Sequence, residues 1–383
     1  MVNDGMQHPD LMQILPFFGY SGREVLVITA DDKVYGVGMN SSGCLGLGDT
    51  NFHERPGEIL SLSNKRVKGF ACGGSVFLPS SRIFVLAYLH SGEIYQWGSV
   101  PHESSFILRP QQIGIDLEIK VKTVACGRSH CMILSEDGKV FTWGDNGRGQ
   151  LGHSENQTLD DYSHAYGTNQ PNRVKGIIEE KTVIDISCGG LFSVVLLDNG
   201  KVVTWGNNVC GELGFGGEGD YETSSYSSTV LPTEVSLLND AIIGKIACGR
   251  SHVLALSKTG ILYVWGDNYQ CQLGQPTNHR RCGNPAELKT HLRFIDIGAC
   301  FASDISVAQS EDKKVYMWGN VSPGKIISEP TDSNCSSVNH VFSLLTYPSI
   351  MIKPMKLRAQ EPKPSAVLNS SINEFKNVLN EGI

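Results

Sequence analysis

Residues 125 to 152 read ACGRSHCMILSEDGKVFTWGDNGRGQLG, and this stretch decides the fold because its parts recur along the chain in the same order. A cysteine-glycine pair comes first, then an apolar run, a turn at Asp137-Gly138 and an alternating run that ends in Trp143-Gly144. Two such runs joined by a glycine-containing turn are the pattern of a β-hairpin. The stretch therefore predicts a small antiparallel sheet of short strands.

The pattern occurs in six copies, which indicates a repeat architecture. All five tryptophans precede glycine, and an earlier copy, DDKVYGVG at 31 to 38, has Val37 in the tryptophan position. The cysteine-glycine pair recurs at 71 to 74, 125 to 128, 187 to 190 and 247 to 250, and in degraded form as ACFA at 299 to 302. Four copies have an asparagine five residues before Leu-Gly, namely Asn40/Leu45, Asn146/Leu151, Asn208/Leu213 and Asn268/Leu273.

A single sheet of about four strands cannot bury both of its faces, so neighbouring sheets must stack on one another. A radial stack that closes on itself leaves only short edges, and this arrangement is the β-propeller. We therefore predict an all-β fold in which the tryptophans wedge between blades and the glycines that follow them make turns. These structural repeat residues are Trp97, Gly98, Trp143, Gly144, Trp205, Gly206, Trp265, Gly266, Trp318 and Gly319.

The stretch at 125 to 152 resembles a repeat of the regulator of chromosome condensation family, and the resemblance extends over residues 24 to 325. Members of that family form seven-bladed β-propellers, so the resemblance implies a seventh blade built from residues 340 to 357 with the N-terminal segment. The end of the repeat region looks most similar to the propeller part of the regulator of chromosome condensation and BTB domain-containing proteins. This sequence stops at SSINEFKNVLNEGI, so we expect a form that is without the BTB domain and is monomeric.

The chain is accordingly divided into an N-terminal segment at 1–20, a β-propeller at 21–358 and a C-terminal region at 359–383. The C-terminal region begins with a proline-containing linker, AQEPKPSAV. Ser371 and Glu374 then stand in the spacing of a capping box ahead of Ile372 and Phe375. We predict a short amphipathic helix there.

Composition excludes several classes of function. The net charge is −7, so no global positive field favours direct binding of nucleic acid. No apolar run is long enough to span a membrane, and no basic export signal begins the chain. The eleven cysteines are odd in number and contain no CxxC pair, which indicates reduced thiols and neither a metal site nor a cofactor. We expect a cytoplasmic or nuclear protein.

Enzyme motifs are almost absent, so we predict no catalytic residue. GFGGEG at 214 to 219 matches GxGxxG, but it lies in an acidic loop and not at a strand-to-helix turn. His130 and His252 occupy equivalent positions in two copies of CGRSH. Equivalent positions in a repeat serve the same packing role, so we interpret both histidines as structural.

Two long insertions are the candidate binding site, since loops on a rigid scaffold carry most of its function. Residues 153 to 172 and 215 to 232 each have a net charge of −3 and contain tyrosines, which are favoured at contact surfaces. Both follow Trp-Gly and Leu-Gly in consecutive copies, so they should project from the same side. We predict an acidic, aromatic patch for a protein partner with a basic surface, formed by Glu155, Asp160, Asp161, Tyr162, Tyr166, Glu218, Asp220, Tyr221, Glu222 and Tyr226. The alternative is that these are solvated loops without a binding role.

Two functions remain open. The first is a non-enzymatic scaffold or adaptor that holds a partner through propeller loops, which the resemblance to BTB-bearing proteins connects with cullin ubiquitin ligases. The second is guanine-nucleotide exchange on a small GTPase, the activity of the family's founding member. The basic N-terminal arm of that member has no counterpart in MVNDGMQHPD, and its exchange residues have no residue-by-residue match here. The sequence therefore favours the scaffold.

Overall fold

The computed structural model describes residues 11–17, 24–29, 31–75, 82–101, 103, 105–114, 119–153, 167–216, 228–238, 241–275, 280–301, 303–322, 325–338, 341 and 355–358. Within these residues the chain forms six antiparallel sheets, which are the predicted blades. The predicted all-β propeller is thereby confirmed in class. The predicted seventh blade has no separate sheet in the described part of the chain, and seven remains a prediction.

Each blade contributes four strands in chain order. Blade 1 contains β1 (Leu11–Phe17), β2 (Glu24–Ile28), β3 (Val34–Gly38) and β4 (His53–Glu58). Blade 2 contains β5 (Val67–Ser75), β6 (Arg82–Leu89), β7 (Ile94–Gly98) and β8 (Ile107–Gln112). Blade 3 contains β9 (Val121–Cys126), β10 (His130–Ser135), β11 (Val140–Gly144) and β12 (Thr168–Arg173).

The second half of the chain repeats this order. Blade 4 contains β13 (Val183–Cys188), β14 (Phe192–Leu197), β15 (Val202–Asn207) and β16 (Ser228–Glu234). Blade 5 contains β17 (Ile243–Cys248), β18 (His252–Ser257), β19 (Leu262–Asp267) and β20 (Arg281–Glu287). Blade 6 contains β21 (Phe294–Ala299), β22 (Ile305–Ser310), β23 (Val315–Ser322) and β24 (Lys325–Asp332). Short 3-10 turns at Gly176–Ile178 and Ser236–Leu238 link blades 3 to 4 and 4 to 5.

The two ends of the chain meet in the first sheet. A last strand, β25 (Met355–Arg358), pairs with β1 in antiparallel register, and β1 pairs with β2. The sequence assigned the region of β25 and the N-terminal segment to a seventh blade, whereas the described strands add to blade 1. The predicted C-terminal helix lies outside the described residues.

The first strands of blades 2 to 6 lie side by side around a central cavity of about 380 Å³, whose lining includes Thr123, Ser187 and Ala247. Strand direction alternates, so the propeller has two ends with different loops. One end carries the first-to-second turns and the third-to-fourth loops, and we call it the insertion face. The other end carries the second-to-third turns and the links between blades, and we call it the opposite face.

One alignment made from the sequence is wrong by a residue. In blades 2 to 5 the cysteine of the Cys-Gly pair lies in register with the tryptophan two strands away. In blade 3, for example, Cys126 pairs with Cys131 of the second strand, and Cys131 pairs with Trp143 of the third. In blade 6 Ala299, and not Cys300, takes that position opposite Ser306. The first strand of blade 6 ends at Ala299 and the second begins at Ile305, so this turn is longer than the three-residue turns of blades 3 to 5 and Cys300 lies within it.

Candidate partner-binding face

The loops of the insertion face are held by the repeated asparagine. In blades 1, 3, 4 and 5 the asparagine Oδ1 accepts a hydrogen bond from the backbone N–H of the leucine five residues later, at 2.8 to 3.0 Å. The spacing seen in the sequence is therefore the spacing of a side-chain-closed turn. Blade 2 has no such turn, and there Trp143 belongs to the same buried cluster as Val100 and Ile113.

The tryptophan of the following blade is bonded to this asparagine turn. The Trp205 indole donates to the carbonyl of Gln150 at 2.9 Å, and Trp265 donates in the same way to Glu212 at 2.9 Å. A Cβ on Gly152 or Gly214 would lie 2.9 to 3.0 Å from the indole nitrogen. The glycine of Leu-Gly is thus required because the next blade's indole occupies the space of a side chain. Gly214 belongs to GFGGEG, so that glycine has a packing role.

The Cys-Gly turns form a collar of backbone hydrogen bonds at the inner rim of the insertion face. Arg128 N–H donates to Gly190 O, Gly190 N–H to Arg250 O and Arg250 N–H to Ser303 O, at 2.9 to 3.1 Å. Each bond joins one blade to the next. The rim that carries the loops is therefore a rigid platform.

The two equivalent histidines complete this platform. His130 Nε2 lies 3.0 Å from Ser193 Oγ, and that hydroxyl donates to Gln150 O at 2.8 Å. Since the serine proton is used, the imidazole donates through Nε2–H. Burial lowers the pKa of His130 to about 4 and that of His252 to about 3. Both are fully buried, as the structural interpretation expects, and neither has access to a substrate.

Lysine and arginine are distributed differently between the two faces. Lys325 and six arginines lie in the described turns and loops of the insertion face or begin the strands that leave it, the arginines being Arg82, Arg128, Arg148, Arg250, Arg280 and Arg281. The other lysines with described side chains all lie at the opposite face, namely Lys33, Lys65, Lys68, Lys120, Lys122, Lys139, Lys175, Lys181, Lys201, Lys245, Lys258, Lys289, Lys313 and Lys314. Arg66, Arg173 and Arg293 lie there too, so the insertion face differs in being rich in arginine and poor in lysine. Protein interfaces have the same bias.

Exposed aromatic side chains follow the same division. Among the described residues, Phe52, Phe106 and Tyr269 are the exposed phenylalanine, tyrosine and tryptophan side chains, and all three lie at third-to-fourth loops of the insertion face. Exposed aliphatic side chains such as Leu60 and Ile242 lie at the opposite face. Tyr269, 57% exposed, stacks with Arg280 at 5.1 Å from the ring centroid to the guanidinium carbon.

Tyr269 and Arg280 were missed by sequence reasoning. Tyr269 follows Asn268 in the asparagine turn, where blades 1, 3 and 4 have Ser41, Gly147 and Val209. The signal that could have found it is a large aromatic residue at a position that is small in the other copies. Tyrosine and arginine are the residue types that dominate binding energy at interfaces.

All ten sequence-predicted binding residues lie outside the described residues: Glu155, Asp160, Asp161, Tyr162, Tyr166, Glu218, Asp220, Tyr221, Glu222 and Tyr226. The residues that flank them are described. His153 and Gly167 border residues 154–166 of the first insertion in blade 3, and Gly216 and Ser228 border residues 217–227 of the second in blade 4, while the ends of both insertions belong to strands β12 and β16. Both insertions therefore leave and re-enter neighbouring blades at the insertion face.

Metal binding and thiol chemistry have little support in the described residues. No cluster of three histidine, cysteine or acidic side chains is placed to hold a metal ion there. Burial raises the pKa of the Cys72, Cys126 and Cys188 thiols well above the usual range, so these buried cysteines are poor nucleophiles. In the same part of the chain no helix has the length and apolar character of a membrane span.

Comparison with known proteins identifies the family to which the repeat belongs. The sequence profile described as "Regulator of chromosome condensation (RCC1) repeat" matches residues 31–77, 137–196 and 199–256, and a second profile with the same description matches 121–150, 183–212 and 244–272. The chain is 31% identical over 267 residues to the E3 ubiquitin-protein ligase HERC2 of Homo sapiens, which is 67% of this chain and 5% of HERC2. It is 25% identical over 385 residues to the ultraviolet-B receptor UVR8 of Arabidopsis thaliana, covering 84% of this chain and 83% of UVR8.

Solved structures share the fold. Human WBSCR16 superposes with a TM-score of 0.64 at 20% identity, covering 79% of each chain. Yeast RCC1 (Prp20), in its complex with Kap60, superposes with a TM-score of 0.66 at 18% identity, covering 98% of each chain. At these identities the likeness establishes the propeller architecture alone.

Proposed function

The chain belongs to the regulator of chromosome condensation repeat family, and from that premise we propose that it is a non-enzymatic scaffold that binds a partner protein through the insertion face. The observation that carries the proposal is the concentration of arginine and exposed aromatic side chains at one face and of lysine at the other. The rigid collar and the asparagine turns support it, because preorganised loops lose little entropy on binding.

The partner we infer has a basic surface. The two insertions together carry −6 of the chain's net charge of −7 and are anchored in adjacent blades of this face. The adjacent Tyr269–Arg280 pair of blade 5 extends the candidate surface with side chains that suit an interface core. Acidic loops of this kind steer a basic partner and fix its orientation, with an aromatic centre supplying affinity.

A connection with ubiquitin ligases is part of the proposal. HERC2 is a ubiquitin-protein ligase, and this chain spans only 5% of its length, so the shared part is the propeller and not the ligase as a whole. We infer that the chain presents its partner as an adaptor, in keeping with the resemblance to BTB-bearing proteins. Nucleotide exchange is the competing function, since Prp20p from Saccharomyces cerevisiae, which shares the fold, binds Gsp1p and histones.

The test is a charge reversal with a matched control. Asp160, Asp161, Asp220 and Glu222 are changed to Lys in one variant, and Glu93, Glu180, Asp198 and Glu311 at the opposite face are changed to Lys in the other. Affinity capture followed by quantitative mass spectrometry should show partners lost from the first variant and retained by the second. Equal retention by both variants would contradict the proposed face. In parallel, faster release of fluorescent GDP from a small GTPase would support exchange in place of the scaffold.

A further inference from the structure

Glu212 is a carboxyl group buried at the contact between blades 4 and 5. Its side chain has no exposed surface, and its main-chain carbonyl accepts the Trp265 indole. Glu212 Oε1 accepts a hydrogen bond from Asn207 Nδ2 at 2.5 Å, and Oε2 accepts one from the Cys210 backbone N–H at 2.6 Å. The side chain therefore closes the loop that begins at Asn208 and runs to Gly216.

The equivalent loops of blades 3 and 5 are closed by two corresponding hydrogen bonds. There a glutamine takes the place of Glu212, and an aspartate takes the place of Asn207. Gln272 Oε1 accepts the Gln270 backbone N–H at 2.8 Å, and Gln272 Nε2 donates to Asp267 Oδ2 at 3.0 Å. Gln150 closes blade 3 in the same way, with Arg148 and Asp145 as partners. Each loop therefore has one acid and one amide, and we call the pair the acid–amide clasp. Only in blade 4, among these three, is the acid the buried member.

We propose that Glu212 and Asn207 form a proton-linked clasp, in which Glu212 exchanges one proton with solvent and thereby sets how firmly residues 208–216 are held. When Glu212 is ionised, both of its oxygens accept bonds, as the structure shows. When it is protonated, its new O–H bond donates to Asn207 Oδ1 after the amide turns over by half a rotation. The amide offers either a donor or an acceptor at one place, so both states are fully bonded.

Among the described residues, no positively charged side chain is in direct contact with the Glu212 carboxyl group. Asp267 faces it from blade 5, and the Cys210 thiol lies beside it with Ser251 across the blade contact. Arg281 donates to Val209 O at 2.9 Å and acts on Cys210 and Asp267. Burial, with a smaller effect of Asp267, raises the pKa of Glu212 from 4.5 to about 7 against the hydrogen bonds it accepts. The proton is therefore exchanged near neutral pH.

The direction of the effect follows from linkage. The closed loop holds the Glu212 proton more tightly than an open loop does, so opening becomes easier as pH rises from 4.5 to about 7. The end of the loop overlaps the start of the second acidic insertion, residues 215 to 232. The consequence for binding rests on the proposed function: residues 208–216, which precede the acidic side chains of blade 4, would be held more firmly at slightly acid pH than above neutrality.

The experiment is hydrogen exchange on the free full-length chain, so it does not depend on a partner and fails separately from the charge-reversal test. Exchange of peptides covering 208–214, corrected for the intrinsic rate, should rise about tenfold between pH 6 and pH 8. The equivalent peptides at 268–274, closed by Gln272, should show no such rise. Glu212→Gln should abolish the rise in blade 4.

Two results would overturn the clasp. One is an equal pH dependence of the 208–214 and 268–274 peptides in the unaltered chain. The other is a rise that persists in Glu212→Gln. The double variant Asn207→Asp with Glu212→Gln rebuilds the pair found in blade 5 and provides a second folded test if the single variant fails to fold. That double variant should lack the rise as well.

Discussion

Blades 3 and 5 differ from blade 4 at two places that the fold treats as equivalent. Blades 3 and 5 begin their second strands with His130 and His252, where blade 4 has Phe192. They also close their asparagine turns with an Asp–Gln clasp, where blade 4 uses Asn207 and Glu212. Both kinds of blade keep the same Trp-to-carbonyl bond at 2.9 Å.

The difference shows what each position requires. A ring packs directly on the glycine of the Cys-Gly turn, and the turn therefore requires glycine, because a Cβ on Gly189 or Gly249 would lie 1.9 Å from the Phe192 or His252 ring. The clasp needs one donor and one acceptor in register, and it accepts either order of acid and amide. The shape of the ring and the hydrogen-bond count of the clasp are therefore the same in all three blades, whereas the titratable group is free to vary. This freedom allows neighbouring blades with one backbone geometry to respond differently to pH.

The largest effect is expected from breaking the clasp of blade 5. Gln272→Glu puts a second carboxylate where Gln272 Nε2 now donates to Asp267, 3.0 Å away, in a buried site. It removes a charge-assisted hydrogen bond and adds a like-charge contact, so the free energy of unfolding at pH 8 should fall by about 3 kcal/mol. Urea denaturation followed by tryptophan fluorescence measures this change.

The control for that prediction exchanges the whole pair. Asp267→Asn together with Gln272→Glu rebuilds the blade 4 clasp inside blade 5. The double variant should recover more than half of the stability that Gln272→Glu loses. A double variant no more stable than the single one would show that the two blades are not interchangeable at this place.

A smaller, pH-dependent effect is expected from the histidines. The pKa of His130 in the folded chain is about 4 and that of His252 about 3, against 6.5 when exposed. The stabilisation of the folded chain that depends on these two imidazoles being neutral is therefore present in full above pH 6.5. It is lost progressively as pH falls from 6.5 toward the folded pKa values. Each histidine should lower the free energy of unfolding at pH 5 by about 2 kcal/mol relative to pH 8.

Replacing each histidine with phenylalanine, which blade 4 has at the equivalent position, tests whether the imidazoles cause the acid sensitivity. His130→Phe should reduce the loss of stability between pH 8 and pH 5 by about 2 kcal/mol, and His252→Phe should add a similar reduction. Ser193 keeps its bond to Gln150 O in the first variant, so no buried hydroxyl is left unpaired. Urea denaturation at the two pH values decides the matter. Parallel pH profiles of variant and parent would contradict the assignment of acid sensitivity to these rings.

The sequence was sufficient for the repeat and the all-β class, because Trp-Gly and the asparagine spacing recur within one chain. It was not sufficient to show which contacts require each of the repeated residues. The bond from Trp205 to Gln150 joins residues 55 positions apart, and only the stacking of blades brings them together. The division of lysine from arginine also needs strand direction, since neither face is continuous in sequence. The cysteine of blade 6 was misassigned because the length of its turn is invisible in the repeat pattern.

The smallest effect concerns a glycine position that one of the compared blades has lost. Gly149 and Gly211 have φ of 77° and 78° in blades 3 and 4, and Cys271 takes their place in blade 5 with φ of 59°. A left-handed conformation costs a residue with a Cβ about 1–2 kcal/mol, of which part is offset by the greater freedom of glycine in the unfolded chain. Cys271→Gly should therefore raise the free energy of unfolding by about 0.5–1 kcal/mol. In the reverse direction, Gly211→Ala brings a Cβ to 2.6 Å from Gly283 Cα and should destabilise the chain by more than Cys271→Gly stabilises it. If Cys271→Gly lowers the midpoint in urea, the Cys271 side chain contributes packing that outweighs the strain, and blade 5 then departs from blades 3 and 4 in its outer contact as well as in its clasp.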